Sequence, residues 1–252
     1  MNKEYLYLAN WKMNMNFDET IEFGASHYDD ITTIGSMPNT TIVLFPSFVC
    51  LYLLSKIFAS TNISIGAQDC SKYGKGNFTG QICAQTIHQA GARWCLIGHH
   101  ECRLLTQETN KDIASKIIHL IDFNISPIIC IGENLTEYTK GLTIKILEEQ
   151  LNPIIETLLM LTVPKHLSVI FAYEPVWAIG TNNPSSLEHL ESILAWLSSY
   201  LNPLHTHLTF KIIYGGSISS KNIENFKKIS LLDGFLIGTA SLSFHELKKI
   251  VS

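Results

Sequence analysis

Short apolar runs recur along the whole chain, and each one ends at a Gly, a Pro or a polar residue. They are rich in β-branched and aromatic residues and lie at residues 5–9, 41–45, 62–66, 93–98, 127–131, 168–173, 209–214 and 234–238. The runs are apolar almost throughout instead of alternating with polar residues, which is typical of parallel strands that are buried on both faces. The pattern therefore predicts eight buried parallel strands.

Helical periodicity fills the stretches between these runs. The clearest stretch has apolar residues at spacings of three and four, which places them on one helix face: Leu187, Leu190, Ile193, Leu194 and Leu197. Similar patterns occupy residues 112–121, 147–159 and 244–250. Ser186 and Ser243 stand where N-cap residues are expected. Strands and helices therefore alternate along the chain.

Eight strand–helix units in 252 residues give about 31 residues per unit, the usual length of a βα repeat. Right-handed crossovers of eight such units close into a (β/α)8 barrel of the α/β class. Because no change of composition marks a linker, we expect residues 1–252 to form one catalytic barrel domain. The competing fold, a doubly wound open sheet, would place a glycine-rich fingerprint after the first strand, but Asn10, Trp11 and Lys12 stand there.

Composition and charge exclude several classes of function. The chain has 18 Lys and Arg against 22 Asp and Glu, and it has no basic cluster of the kind that binds nucleic acid. No segment approaches the roughly 18 apolar residues of a membrane span, and the start of the chain lacks the apolar core of a signal peptide. The six cysteines form no CxxC pair, which favours reduced thiols. We therefore expect a soluble cytoplasmic protein with no nucleic acid or membrane partner.

The loops that follow barrel strands carry the chemistry of such folds, so the residues there are candidate site residues. In strand order they are Asn10 and Lys12; His99, His100 and Glu101; Gly132 and Glu133; Glu174; Gly215, Gly216 and Ser217; Gly238 and Thr239. The last two loops consist of residues with small side chains, so their backbone N–H groups are accessible and suited to holding a phosphate. A small phosphorylated molecule is the expected ligand.

One carboxylate, one imidazole and one ammonium beside a phosphate site suit proton abstraction next to a carbonyl. Glu174 is the expected base. His99 would polarise the carbonyl oxygen, and Lys12 would stabilise the negative charge of the enediolate. Because helix N–H groups follow His99, we expect its ring to stay neutral.

The connection after Glu174, residues 175–184, is longer than the usual two to six residues. Its middle contains Trp177 and Gly180. An apolar segment bracketed by prolines predicts a lid that excludes water from the site.

Three other functions account for these residues less well. A barrel glycosidase would use two of Glu101, Glu133 and Glu174 at roughly 5 to 9.5 Å, but it leaves Lys12 and the phosphate site unexplained. A zinc site at residues 99–102 lacks the cysteine pair that would complete it, so we expect no metal. A barrel kept only for binding would not need Glu174, His99 and Lys12 together.

Six motifs, in order, make the chain similar to the triosephosphate isomerase family over nearly its whole length. They lie at residues 10–14, 97–99, 130–133, 172–181, 214–217 and 233–238, and the fourth is the most specific. The resemblance implies a TIM barrel and a homodimer. It also implies interconversion of dihydroxyacetone phosphate and D-glyceraldehyde 3-phosphate through an enediolate, in glycolysis and gluconeogenesis, without metal or cofactor.

The resemblance also implies roles for single residues. Glu174 moves the proton, His99 is the electrophile, and Asn10 and Lys12 contact the substrate. The phosphate is held by loop residues Gly180, Ser217, Gly238 and Thr239, and the supporting residues are Glu101, Trp177, Tyr214, Gly215 and Gly216. Residues 68–80 form a loop that projects into the partner subunit with Tyr73 and Phe78, and Thr79 reaches towards the neighbouring active site.

The chain departs from the family pattern at five positions. His100 replaces a small hydroxyl residue close to the base. Cys102 and Gln81 replace an Arg and a Glu that usually pair across the dimer, so both charges of that pair are gone. Thr239 replaces a Gly of the phosphate site, and Asn182 replaces a Gly of the lid.

Overall fold

Eight parallel strands close into a barrel. The structure, a computed structural model, describes residues 3–181 and 184–252. The strands are Tyr5–Asn10 (β1), Thr40–Phe45 (β2), Ser64–Ala67 (β3), Trp94–Ile97 (β4), Ser126–Ile131 (β5), Ser168–Tyr173 (β6), Thr209–Tyr214 (β7) and Gly234–Ile237 (β8). Each strand pairs with the next along the chain, and β8 pairs with β1. The predicted strands and the (β/α)8 fold are confirmed, and the strand ends shift by no more than two residues.

Helices occupy the connections between the strands. They are Phe17–Ser26 (α1), Tyr28–Gly35 (α2), Phe48–Ile57 (α3), Ala84–Gln89 (α4), His100–Leu105 (α5), Asn110–Asp122 (α6), Leu135–Thr139 (α7), Thr143–Met160 (α8), Leu187–Tyr200 (α9), Ile223–Phe226 (α10) and Phe244–Val251 (α11). Short 3-10 helices span Val176–Ala178, Asn202–Thr206 and Thr239–Leu242. None of the helices in the described ranges combines the length and apolar character needed to cross a membrane.

Both predicted N-caps are confirmed. The Ser186 hydroxyl accepts the backbone N–H of His189 at 3.2 Å and opens α9. The Ser243 hydroxyl accepts the backbone N–H of Glu246 at 3.4 Å and opens α11. Each cap satisfies an N–H group that has no partner within its own helix.

Each strand buries both faces, which explains the unbroken apolar runs in the sequence. In β6, Ile170 and Ala172 belong to the apolar cluster inside the barrel, whereas Phe171 and Tyr173 belong to the larger cluster between strands and helices. Side chains alternate between the two faces of a strand. The next residue, Glu174, therefore points into the mouth of the barrel.

Candidate active site

A cavity of about 400 Å³ opens at the carboxyl ends of the strands. Its lining includes all the residues predicted to be catalytic or to bind substrate: Asn10, Lys12, His99, Glu174, Gly180, Ser217, Gly238 and Thr239. Gly215 and Gly216 line it as well, and so do Ile179, Ile218, Ser219, Leu236 and Ala240, which the sequence did not single out. The cavity has a size suited to a small molecule. Residues from five separate strand ends meet in it.

Two glycines make room for Glu174, which is only 3% exposed. A Cβ at Gly132 would lie 1.9 Å from the Glu174 carbonyl oxygen, and a Cβ at Gly215 would lie 2.6 Å from Glu174 Cγ. The Glu174 N–H donates to the carbonyl of Ile131 at 2.7 Å. The backbone and side chain of the carboxylate are therefore fixed by neighbouring strands.

The environment of Glu174 raises its pKa towards neutral pH. Burial raises the pKa of Glu174 to about 7 from its usual 4.5, while the Cys130 thiol and the Lys12 ammonium act in the opposite direction. A carboxyl group with a pKa near the working pH both accepts and releases a proton readily. Glu174 has the properties of a general base.

His99 is the N-cap of α5, and its ring Nδ1 accepts the backbone N–H of Glu101 at 3.3 Å. A neutral ring held in this way carries its proton on Nε2, which lies 3.5 Å from Glu174 Oε1. Burial, followed by His100 and Lys12, lowers the pKa of His99 to about 2. The ring is therefore suited to act as a neutral hydrogen-bond donor beside the base.

Lys12 has a left-handed backbone conformation with φ of 53°. Its N–H donates to Asn10 Oδ1 at 3.1 Å, and its carbonyl accepts from Gln68 Nε2 at 2.8 Å. The Lys12 Nζ donates to Glu101 Oε1 at 2.7 Å. A left-handed conformation is uncommon for a residue other than Gly, and Lys12 is the one such residue in the described ranges that lines this cavity. Nothing in the sequence signalled this conformation or the role of Gln68.

The loops after β6, β7 and β8 surround the other end of the cavity. Ser217 Oγ donates to the carbonyl of Ala178 at 2.6 Å and joins two of these loops. Gly180 has a φ of 69°, a conformation that favours Gly. Thr239 opens a 3-10 helix, and within the described ranges it is not among the residues with a left-handed backbone. The Thr at this position therefore causes no conflict with the local backbone.

The start of the predicted lid is bound to a buried carboxylate. Trp177 Nε1 donates to Glu133 Oε1 at 2.8 Å, and the Tyr173 hydroxyl lies 3.2 Å from both oxygens of Glu133. Glu133 is fully buried, and burial raises its pKa. The sequence did not reveal Glu133 as the partner of Trp177.

At the far end of the lid, the Tyr214 hydroxyl accepts the backbone N–H of Ser185 at 3.0 Å. A Cβ at Gly216 would lie 2.0 Å from this hydroxyl, so Gly216 leaves the space that it needs. The lid position Asn182 and its neighbour Asn183 lie outside the described residues.

The projecting loop lies outside the cavity lining. The rings of Tyr73 and Phe78 stack at a centroid distance of 4.1 Å, and both side chains are exposed. Thr79 beside them is exposed too. The Ser71 N–H donates to the carbonyl of Ile82 at 2.8 Å and closes the base of the loop. Their contact with a second subunit stays a prediction.

His99, His100 and Glu174 place one potential metal-ligand atom each within 4.8 Å of one another. A metal at His99 Nε2 would need the lone pair of that nitrogen. The hydrogen bond from Glu101 to Nδ1 leaves the proton on Nε2, so this ring does not offer it. The cluster is better suited to holding and moving protons.

Comparison with known proteins shows that the chain is similar to one enzyme family over nearly its whole length. The family model for triosephosphate isomerase matches residues 5–252. The triosephosphate isomerase of Aquifex aeolicus is 34% identical over 249 residues, which cover 98% of both chains. The enzyme of the same name from Mycoplasmopsis pulmonis is 36% identical over 251 residues, which cover 97% of both chains.

Proposed function

The chain belongs to the triosephosphate isomerase family, and we propose that it interconverts dihydroxyacetone phosphate and D-glyceraldehyde 3-phosphate in the cavity described above. The observation that supports this most strongly is the meeting of Glu174, His99 and Lys12 around one small space. These three groups are the base, the hydrogen-bond donor and the positive charge that an enediolate requires.

The reaction begins when Glu174 takes a proton from the carbon next to the substrate carbonyl. The electrons of the broken C–H bond form the enediolate, whose oxygen accepts a hydrogen bond from His99 Nε2. His99 Nε2 gives its proton to this oxygen and takes back the proton of the neighbouring hydroxyl, and Glu174 returns a proton to the former carbonyl carbon. Each proton that leaves a carbon or an oxygen is replaced at the other, so the step is an isomerisation without net oxidation.

Lys12 stabilises the negative charge of both the phosphate and the enediolate. Its ammonium pairs with Glu101 at 2.7 Å, and only 23% of its side chain is exposed. An ammonium that is held in place and partly shielded acts more strongly than one in bulk water. Asn10 fixes the Lys12 backbone and lines the cavity beside it.

The phosphate lies, in this proposal, against Gly180, Ser217, Gly238 and Thr239. Backbone N–H groups of small loops are effective donors to phosphate oxygens. Trp177 and Tyr214 hold the two ends of the lid through their contacts with Glu133 and Ser185. Closing the lid excludes water and prevents loss of phosphate from the enediolate.

The whole chain, residues 1–252, acts in this proposal as one catalytic domain of a homodimer, without metal or organic cofactor. The projecting loop with Tyr73, Phe78 and Thr79 would contact the partner subunit. We place the enzyme in the cytoplasm, where it would serve glycolysis and gluconeogenesis.

Coupled assays in both directions test the proposed function. Each triose phosphate is supplied alone, and formation of the other is followed through a dehydrogenase that consumes it. We expect turnover in both directions, with a ratio of kcat/KM values equal to the equilibrium constant. Tight binding of the substrates without turnover would instead indicate a binding protein that does not catalyse the reaction.

A further inference from the structure

Two consecutive histidines, whose ring centroids lie 4.3 Å apart, come close to Glu174 but line different cavities. His99 lines the substrate cavity, whereas His100 lines a second cavity of about 320 Å³, here called the rear cavity. Glu174 lines both. The base therefore has one face towards the substrate and another towards His100.

Two buried polar atoms near this boundary have no hydrogen-bond partner within the described part of the chain. They are Glu174 Oε2 and His100 Nδ1. A ring nitrogen of His100 lies within 4.8 Å of a Glu174 carboxylate oxygen. One water molecule or a small side-chain rotation spans that distance. The carboxyl group and the imidazole can therefore share a proton.

The other polar groups of the rear cavity are less suited to exchange a proton. The Cys130 thiol interacts with Glu174, but burial raises its pKa well above the usual range, so it keeps its proton. Asn134 Oδ1 accepts the Glu137 N–H at 3.0 Å. The Arg103 guanidinium donates to two backbone carbonyls and an asparagine side chain. The Gln150 amide pairs with both the N–H and the carbonyl of Gly132. Glu137 accepts an N–H at the start of α7. His100 is thus the group best placed to exchange a proton with Glu174 on this side.

His100 also reaches solvent, which Glu174 does not. The His100 side chain is 19% exposed, against 4% for that of Glu174. Burial and, after it, the Lys12 charge lower the pKa of His100 to about 4, while Glu101 acts in the opposite direction. At neutral pH the ring is uncharged, so one nitrogen is free to accept a proton while the other holds one that it can release.

We propose that His100 exchanges the proton held by Glu174 with solvent through the rear cavity. This inference rests on the proposed function. The proton that Glu174 takes from substrate passes to His100 Nδ1, and the ring releases its Nε2 proton to water. The reverse sequence returns a solvent-derived proton to Glu174. One proton leaves and one enters, so the charge of the site is unchanged.

Isomerisation in deuterium oxide tests this inference. The substrate carries ordinary hydrogen, and NMR at low conversion measures the fraction of product with deuterium at the carbon that receives the proton. For His100→Gln, which cannot titrate, we expect this fraction to fall about tenfold or more relative to wild type, as when a positioned proton carrier is removed. The fraction compares two fates of one intermediate, so a general loss of activity does not change it.

His88→Gln is the matched control, because His88 Nδ1 is also buried without a partner but lies on α4, outside both cavities. We expect it to keep the wild-type fraction. His100→Ala should lose deuterium incorporation and regain it when imidazole is added, because the cavity has room for that ring.

The outcomes distinguish this inference from the proposed function. Normal turnover with an unchanged deuterium fraction in His100→Gln would overturn the role of His100 alone. A low fraction in His100→Ala that imidazole does not restore would also overturn it, since it would show an effect on geometry only. Absence of product from wild type would contradict the proposed function, and this inference with it.

Discussion

The carboxyl group of Glu174 is less stable as an anion in the folded protein than in water. Burial raises its pKa to about 7 from 4.5. A folded-state pKa above the unfolded value contributes stability that is complete below pH 4.5 and is lost as the pH rises through about 7. The same burial that makes Glu174 a good base therefore destabilises the fold at alkaline pH.

Glu174→Gln should consequently stabilise the protein at pH 8 but not at pH 4.5. The shift of the pKa corresponds to at most about 3 kcal/mol in the free energy of unfolding. Urea denaturation at the two pH values, at one protein concentration, measures the difference. An equal effect of the substitution at both pH values would show that burial of the charge is not what destabilises Glu174.

Gly215 positions the base by leaving space for it. In Gly215→Ala the new Cβ would lie 2.6 Å from Glu174 Cγ, so the carboxylate must move. We expect kcat/KM to fall about 10²-fold, the cost of a displacement near 1 Å. Gly141→Ala is the control, because its Cβ would meet no atom within 4 Å and Gly141 lies outside both cavities and the projecting loop, so the strain of an Ala at its φ of 68° stays local. Equal kinetics for the two variants would contradict this role of Gly215.

The sequence predicts a site residue when that residue directly follows a strand, because the strand ends meet at one mouth of the barrel. Glu174, His99 and Lys12 follow directly from strand ends in a closed barrel. The partnership of Glu133 with Trp177 was not predictable, because the two are 44 residues apart and only the folded loops bring them together. The orphaned Nδ1 of His100 likewise depends on packing that no sequence pattern encodes.

The proposed lid is tied to the barrel by hydrogen bonds at its two ends. Tyr214→Phe removes the hydroxyl that accepts the Ser185 N–H at 3.0 Å. Leaving that buried donor unpaired costs about 1–3 kcal/mol, so we expect a 5- to 100-fold lower kcat/KM, roughly in line with that cost. More substrate should be lost as methylglyoxal and phosphate, because water reaches the enediolate.

Product analysis by NMR measures this partition in the Tyr214→Phe variant. Tyr200→Phe is the control, since the Tyr200 hydroxyl bonds Asn152 at 2.5 Å on the exposed surface. An unchanged product ratio in Tyr214→Phe would show that this hydrogen bond does not keep the lid closed.

The pattern of apolar positions predicted the long elements better than the short ones. Helices α6, α8, α9 and α11 extend over two turns or more, which is enough to show a helical period. Helices α5 and α7, with six and five residues, are too short to show one. Their N-caps are local, since His99 accepts the Glu101 N–H and Asn134 forms a capping box with Glu137, so cap residues mark these helices and periodicity does not.

For the whole molecule, exposed apolar side chains support a partner subunit. Met13, Leu104 and Leu105 are 96%, 76% and 75% exposed, and Phe78 on the projecting loop is 40% exposed. All four follow the carboxyl ends of β1, β3 or β4, so they lie at the same end of the barrel, where exposed apolar groups favour association. We expect sedimentation at micromolar concentration to give a dimer.

Phe78→Glu should weaken that dimer and lower activity on dilution, because it places a charge in the proposed interface. Met160→Glu is the control, since Met160 is 86% exposed at the end of α8, which leads into the start of β6, whereas the projecting loop follows the carboxyl end of β3. A wild-type monomer with full activity would contradict the proposed role of the loop.

The central claim is that Glu174 moves the proton in a site shared with His99 and Lys12. The most direct test is kcat/KM for D-glyceraldehyde 3-phosphate in wild type and in Glu174→Gln, with folding of both verified by circular dichroism. We predict a loss of about 10³-fold or more in the variant, as expected on removal of a general base. A variant as active as wild type would contradict the claim.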